Sequence, residues 1–257
     1  MKLDKLGVAG SSPARPMEPR AQPRPVLALL YDIHGNLPAL ETVLADAERA
    51  GVERYLLGGD FTLFGPWPAE TLERLDALPD ARWIRGNGER WTAAPSEAPD
   101  AELVQGAIRA CAEELGAQRV AQLAELPEQT VIDGTRFCHG SPVSDVRSFF
   151  PEPADDEEEL LAGIDEARLV FGHTHLAFAR TSAIHGRELE LVNPGSVGMP
   201  FDGDPRAAYA LIPPADGEVE HRRVEYDHRA AAAVVREFGG WAETVARRIE
   251  AARADVE

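Results

Sequence analysis

The segment VLALLYDIHGN, residues 26–36, joins a continuous apolar run to a polar loop that begins at Asp32. A short apolar run that ends in such a loop is typical of a buried strand. Apolar residues then recur at helical spacing and end near Gly51, which predicts an amphipathic helix. They are Leu37, Leu40, Val43, Leu44 and Ala47. The segment therefore predicts a strand, a loop and a helix in direct succession.

The same succession continues through the first half of the chain. The predicted elements are a strand at 54–57, a helix at 69–78, a strand at 82–85 and a helix at 101–126. The second strand leads to Asp60 and the third leads to Asn87. Alternation of strands and helices favours a sheet that is covered by helices.

The second half is richer in strands. TVIDGTRFCHG, residues 130–140, and ARTSAIHGRELELVN, residues 179–193, each predict a hairpin, the first around Asp-Gly and the second around His185-Gly186. Two further strands at 207–212 and 221–226 precede a closing helix at 230–252. We therefore predict one α+β domain over residues 25–257. Residues 1–24 are rich in Pro, Ser, Arg and Ala, which predicts a disordered extension.

Composition limits the classes of partner. The 257 residues carry a formal net charge of −18, which argues against nucleic acid and anionic membranes as partners. No apolar run is long enough to span a bilayer, and the N-terminal sequence lacks the apolar core of a secretory signal. With only two cysteines, no disulfide framework is expected, and we predict a cytoplasmic protein. The sequence leaves the oligomeric state open.

Seven potential metal ligands follow predicted strands. They are Asp32, His34, Asp60, Asn87, His139, His173 and His175. Because the carboxyl ends of parallel strands gather at one edge, we expect these side chains to converge. The pair of histidines in LVFGHTHLAF, residues 169–178, would on its own fit a structural core histidine beside an exposed one equally well.

The mixture of carboxylate, imidazole and amide donors suits manganese, iron, cobalt, nickel or zinc better than magnesium or calcium. Seven donors are too many for one tetrahedral zinc ion and suit two ions that share a carboxylate. We predict two divalent metal ions, with manganese as the first choice.

The ordered series of these motifs resembles the calcineurin-like metallophosphoesterase superfamily, in particular its small prokaryotic phosphodiesterases, over roughly residues 26–215. The resemblance implies a four-layer α/β/β/α sandwich with a dinuclear metal site at the C-terminal ends of its strands. It further implies that one ion is held by Asp32, His34, Asp60 and His175. The other ion would be held by Asp60, Asn87, His139 and His173, with Asp60 as the bridge.

One position departs from the family pattern. Many members have a histidine directly after the asparagine, where it helps to protonate the leaving group, and this chain has Gly88 there. The identity of the general acid is thereby open. The expected activity is hydrolysis of phosphodiesters or phosphoanhydrides, with nucleotides such as dinucleoside polyphosphates as candidate substrates. The alternatives are a phosphomonoesterase or protein phosphatase, a DNA nuclease, and an inactive binding scaffold of the same fold.

Three residues near the ligands are candidates for substrate contact. Phe64 lies in the loop after Asp60, where it could stack on a base, and Arg85 lies beside Asn87, where it could bind phosphate. Asn36 could reach a substrate oxygen, or it could close a turn with its own backbone. We predict all three as substrate-binding residues.

Overall fold

The computed structural model describes residues 26–184, 186–213 and 217–256. Its centre consists of two five-stranded sheets. The predicted N-terminal extension, residues 1–24, lies outside the described residues, and so does His185 at the turn of the second predicted hairpin. The extension therefore stays a prediction.

The strands form in the predicted order along the chain. They are β1 (Val26–Leu30), β2 (Val52–Leu57), β3 (Ala81–Trp83), β4 (Gln129–Ile132), β5 (Thr135–Cys138), β6 (Arg168–Val170), β7 (Phe178–Ile184), β8 (Arg187–Asn193), β9 (Ala207–Ile212) and β10 (Glu220–Val224). The first sheet has the order β10-β9-β1-β2-β3, and the second has the order β4-β5-β6-β8-β7. Strands β1, β2 and β3 are parallel to one another, as are β5, β6 and β8.

The helices are α1 (Leu37–Arg49), α2 (Pro68–Asp76), α3 (Asn87–Ala93), α4 (Glu102–Ala124), α5 (Glu157–Leu160), α6 (His228–Arg236) and α7 (Ala242–Ala251). Helices α1, α2 and α4 form where the apolar spacing predicts, whereas α3 is not among the predicted helices. Within α4, Gly116 has φ 71° and ψ 157°, so two helical segments meet there at a kink. Among the described residues, no helix is both long and apolar enough to cross a lipid bilayer.

The side chains of β1 alternate between two apolar layers. Between the sheets, Leu29 and Tyr31 of the β1 segment belong to one buried cluster with Phe137 and Val170 of the second sheet. On the other face of β1, Ala28 and Leu30 pack with α1 and α2. The predicted sandwich of two sheets with helices outside is confirmed.

The outer layer on the second sheet is thin. Leu169 and Leu191 on that face pack against Phe149, Leu160 and Ile164, a stretch whose only helix is the four-residue α5. Most of the helical mass therefore lies beside the first sheet and near the carboxyl ends of its strands.

The prediction of a single closing helix over residues 230–252 is wrong. Two helices, α6 and α7, occupy this part of the chain and pack on each other. Gly239 lies between them with φ +73°, a left-handed conformation that ends a right-handed helix. The resulting helical hairpin packs on Met199 and on partly buried Phe64, Phe201 and Trp241.

Candidate metal centre

The seven predicted ligands lie together where strands of both sheets end. Asp32, His34, Asp60 and Asn87 follow strands of the first sheet, and His139, His173 and His175 follow strands of the second. The sequence-based expectation placed them at one edge of a mainly parallel sheet, whereas the structure assembles them across two facing sheets. Asp60 shows the convergence, because its Oδ1 is 3.5 Å from His139 Nε2 and its Oδ2 is 3.9 Å from His34 Nε2.

The backbone turns sharply at most of these residues. Five of the seven have left-handed φ angles: Asp32 (53°), His34 (51°), Asp60 (54°), His173 (69°) and His175 (58°). Such angles are unfavourable for residues with a Cβ, by about 1–3 kcal/mol each, and they concentrate at functional sites. They also show that these residues lie in turns outside the regular geometry of the strands that precede them.

Three of the histidines have one ring nitrogen held by a backbone carbonyl. Nδ1 lies 2.8 Å from Leu63 O in His34, 2.9 Å from Gly58 O in His139 and 2.5 Å from Met199 O in His175. A carbonyl oxygen only accepts hydrogen bonds, so each Nδ1 carries the proton and donates it. The Nε2 of each neutral ring then has a free lone pair directed at the centre, the arrangement that metal-binding histidines commonly show.

The lone pairs of two of these rings face each other, because His34 Nε2 is 3.1 Å from His175 Nε2. Asp32 Oδ1 is buried and has no hydrogen-bond partner. Acceptors that face one another without a donor between them are unfavourable unless a cation is present. The donor set therefore fits the divalent ions that the sequence predicts.

The pKa values show how strongly this environment disfavours isolated charges. Burial, together with the Asp60 carboxylate, raises the pKa of Asp32 to about 8. Burial and the neighbouring His139 lower the pKa of His173 to about 4. Burial also opposes protonation of His139, but the carboxylates of Asp60 and Asp32 outweigh it and raise the pKa. Acidic and basic groups are thus held close together in a site that water does not screen.

Two groups of side chains have ligand atoms close enough to share an ion. They are Asp32, His34 and His175, and Asp32, Asp60 and His139. Asp32 belongs to both groups, since its Oδ1 is 3.5 Å from His175 Nε2 and 3.8 Å from His139 Nε2. The assignment of the bridge to Asp60 stays a prediction, because both carboxylates reach across the centre.

Sequence reasoning missed Glu89, a buried carboxylate beneath the centre. Its Oε2 accepts hydrogen bonds from Asp60 N and Gly86 N, both at 2.9 Å, and its Oε1 accepts one from Phe61 N at 2.8 Å. It thereby joins the loops that follow β2 and β3. A local pattern in the sequence could have identified it, since a glutamate three residues after the N-cap residue of a helix is the second half of a capping box.

The position after the asparagine has no room for a side chain. A Cβ on Gly88 would lie 2.9 Å from Asp60 Oδ1 and 3.3 Å from Leu63 Cβ. Gly88 N also donates a hydrogen bond of 2.6 Å to Asp60 Oδ1. Gly88, which stands where many family members have a histidine, therefore helps to hold the candidate ligand Asp60 through its backbone.

The three predicted substrate contacts have different surroundings. Asn36 is engaged within the fold, since it accepts a hydrogen bond from Ala39 N and donates to Gly198 O and Tyr226 Oη. The ring of Phe64 is half-buried, with its centroid 5.7 Å from that of His34. Arg85 donates to Ala124 O at 3.0 Å and to the exposed Glu128 at 2.5 Å. Phe64 thus lies next to the centre and Arg85 lies near it, whereas the amide of Asn36 is used within the fold.

A cavity of about 340 Å³ opens beside His139. Its walls include Arg85, Arg90, Ser141 and Asp145. Arg90 and Asp145 form a two-bonded ion pair with N–O distances of 2.6 Å, which ties the loop after β5 to α3. A small molecule in this cavity would lie against His139.

Comparisons with known proteins agree with this geometry. A sequence model of the calcineurin-like phosphoesterase superfamily domain matches residues 26–216. The uncharacterised protein MJ0912 of Methanocaldococcus jannaschii is 29% identical over 226 residues, which are 80% of this chain and 90% of that protein. Phosphodiesterase YfcE of Escherichia coli is 28% identical over 204 residues, 72% of this chain and 86% of YfcE. The crystal structure of a metallophosphoesterase from Sphaerobacter thermophilus has 27% identity and a TM-score of 0.75, covering 88% of this chain and 98% of that one.

Proposed function

The chain belongs to the calcineurin-like phosphoesterase superfamily, and from this premise we propose that it is a dinuclear metal-dependent phosphoesterase. Its substrates are small phosphodiesters or phosphoanhydrides, with nucleotides as the first candidates. The observation that carries the proposal is the convergence of acceptor atoms without donors. It comprises the facing Nε2 atoms of His34 and His175 and the unpartnered Oδ1 of Asp32.

The protein's own residues would hold and orient the ions. Asp32, His34, Asp60 and His175 would hold one, and Asp60, Asn87, His139 and His173 would hold the other, while the backbone carbonyls behind three imidazoles keep each Nε2 unprotonated. Two bound divalent ions would supply Lewis acidity and positive charge to a phosphoryl group. Manganese suits the mixed donor set and is the ion that we propose first.

The surroundings of Gly88 favour substrates with good leaving groups. A positioned general acid typically contributes about 10²–10⁴-fold, and alkyl leaving groups need it most. A Cβ at position 88 would lie 2.9 Å from Asp60 Oδ1 and 3.3 Å from Leu63 Cβ, so a histidine is not accommodated there without a shift of these neighbours. A nucleotide phosphate or an aryl oxide leaves as a stable anion and depends little on that proton. The cavity beside His139, with Arg85 in its wall, suits a small polar group.

The metal centre is tested by removing the shared carboxylate. Asp60→Ala should lose activity by at least about 10³-fold and should bind fewer than two ions per chain, measured by mass spectrometry of the purified protein. Asp100→Ala, which removes an exposed carboxylate outside the candidate ligand set, is the matched control and should keep both properties. Full turnover by Asp60→Ala, or by the wild type after thorough chelation, would contradict the proposal.

The substrate class is tested with three compounds. We expect a higher kcat/KM for an aryl phosphodiester and for a dinucleoside polyphosphate than for a phosphoserine peptide. Faster hydrolysis of the phosphoserine peptide would indicate a phosphomonoesterase with a general acid outside position 88. Preferential cleavage of DNA would indicate a nuclease, and metal binding without any turnover would indicate a binding scaffold.

A further inference from the structure

One short stretch, residues 199–201, contacts His175 from three directions. Met199 O accepts the hydrogen bond of the ring Nδ1 at 2.5 Å, and Phe201 N donates to the carbonyl oxygen of His175 at 3.2 Å. The ring of Phe201 stacks on the imidazole with 4.4 Å between centroids and 15° between planes. The position, the plane and the protonated nitrogen of this imidazole are therefore all set by the same stretch.

The start of this segment is also tied to Asp32. The hydroxyl of Ser196 donates to Asp32 O at 2.7 Å and accepts a hydrogen bond from Met199 N at 2.8 Å. Gly198 N donates to the same carbonyl at 3.1 Å. Residues 196–201 therefore bridge the backbone of one candidate ligand and the side chain of another.

The helical hairpin of α6 and α7 supports the segment from behind. Met199 is 3% exposed and belongs to the apolar cluster of the hairpin, and Phe201 packs against that cluster. Two further contacts hold the stretch that follows, since Gly203 N donates to Ala252 O at 2.9 Å and Asp202 forms an ion pair with Arg223. A movement of the hairpin would thus be transmitted to the imidazole of His175.

The other histidines of the centre have no comparable parallel stacking. His139 and His173 meet edge to face at 5.5 Å, and the ring of Phe64 is tilted by 55° against that of His34. A ring held by one hydrogen bond can still pivot about it, whereas a parallel stack also fixes its plane. The orientation of His175 therefore depends on Phe201 more than the orientation of its neighbours depends on any aromatic ring.

We propose that Phe201, held by the C-terminal helical hairpin, is a positioning residue that sets His175 for metal binding and so determines the affinity of the ion position formed with His34. This inference rests on the proposed dinuclear centre. Phe201 does not contact the reacting atoms in this assignment. It acts through the imidazole, in the same way that partners behind a ligand tune many metal sites.

The test is a metal titration of the stripped protein. Binding of Mn²⁺ is followed by calorimetry and binding of Co²⁺ by visible absorption, which reports on imidazole coordination. Phe201→Leu should weaken one of the two binding steps by about 10–100-fold, the usual cost of losing such a support, and should leave the other step unchanged. Phe201→Tyr, which keeps the ring, should retain both affinities.

Phe238→Leu is the matched control, because Phe238 is an exposed phenylalanine of the same hairpin and is 46% exposed. Circular dichroism and the Tm of the stripped proteins check the fold, and Phe201→Met replaces Phe201→Leu if the latter has a lower Tm than the control. Wild-type affinities in the folded variant without the ring, or equal weakening in Phe238→Leu, would overturn the inference. Failure of the wild type to bind two ions would instead overturn the proposed function.

Discussion

The two sides of the candidate centre differ in what surrounds them. The rings of Phe64 and Phe201 lie against His34 and His175, which form the enclosed half. The open half comprises Asn87, His139 and His173. There His173 is partly exposed, and the cavity of about 340 Å³ reaches His139.

We expect the two halves to have different roles because of this difference. The enclosed half is supported by apolar contacts that continue into the C-terminal hairpin, so its geometry is resistant to changes at the surface. The open half is bounded by polar side chains and by a loop that an ion pair holds in place. We expect the enclosed half to secure an ion and the open half to receive the organic part of the substrate.

Of the changes that compare the two halves, Gly59→Ala, which crowds the open half, should have the largest effect. A Cβ on Gly59 would lie 2.5 Å from Gly86 N and 2.8 Å from His139 Nδ1, so Gly59→Ala should displace His139 from its carbonyl partner. Misplacement of a reacting group by about 1 Å can cost about 10²-fold, and we expect at least this loss in kcat/KM. Steady-state kinetics with an aryl phosphodiester measure it.

Gly51→Ala is the matched control for that change. Gly51 also has a left-handed φ, +73°, but nothing lies within 4 Å of the position of its Cβ. This variant should lose about 1–2 kcal/mol of stability through backbone strain and keep its activity. Equal activity of the two alanine variants would mean that the packing around His139 does not matter.

A smaller effect is expected from Glu89→Gln, which weakens the connection between the loops after β2 and β3. The amide group of glutamine must face at least one of the three N–H donors that the carboxylate now accepts. One unsatisfied buried donor costs about 1–3 kcal/mol. Denaturant unfolding of the stripped protein should show this loss.

Metal titration of the same variant sharpens the comparison between the halves. Glu89 contacts the backbone of Asp60 and Gly86 but makes no hydrogen bond to His34 or His175. Binding at the open half should therefore weaken more than binding at the enclosed half. Equal weakening at both would contradict the division between them.

The smallest effect is expected from Arg90→Lys in the wall of the cavity. Lysine keeps the charge but cannot form the two parallel bonds that Arg90 makes with Asp145. The loop after β5 should become looser, so that KM rises by about 2–5-fold while kcat and Tm change little, since partly exposed ion pairs contribute about 1 kcal/mol or less. A change in kcat alone would mean that Arg90 acts on the chemical step.

The sequence predicted the sheet elements, and the candidate ligands at their ends, because both are local. An apolar run marks strands such as β1 and β9, and the polar residue that follows a strand needs only a turn. The predicted bounds of β1, β2, β3, β9, β10, α1, α2 and α4 lie within two residues of those in the structure, whereas α3 has no predicted counterpart. The prediction of a single closing helix is wrong because the apolar spacing is helical on both sides of Gly239 and Gly240, and this spacing does not show that Gly239 adopts a left-handed φ of +73°.

The residues that hold the candidate ligands in position were harder to predict. Phe201 meets His175 across 26 positions of chain, and the contact depends on how residues 199–201 pack on the C-terminal hairpin. Asn36 left two interpretations open in the sequence, and the distant partners Gly198 and Tyr226 take up its amide nitrogen in the structure. Contacts of this kind arise from the path of the whole chain and leave no periodic pattern.

The assembly of the centre from two sheets has a consequence for biosynthesis. His34 and His175 come into contact across 141 residues, and the first sheet is complete only when β9 and β10, up to Val224, have been added. Such long-range pairing is slow because the loop must close before its contacts form. A chain emerging from the ribosome would therefore present scattered carboxylates and imidazoles for most of its synthesis. We expect metal uptake to belong to the final stage of folding, after the last strands have been released.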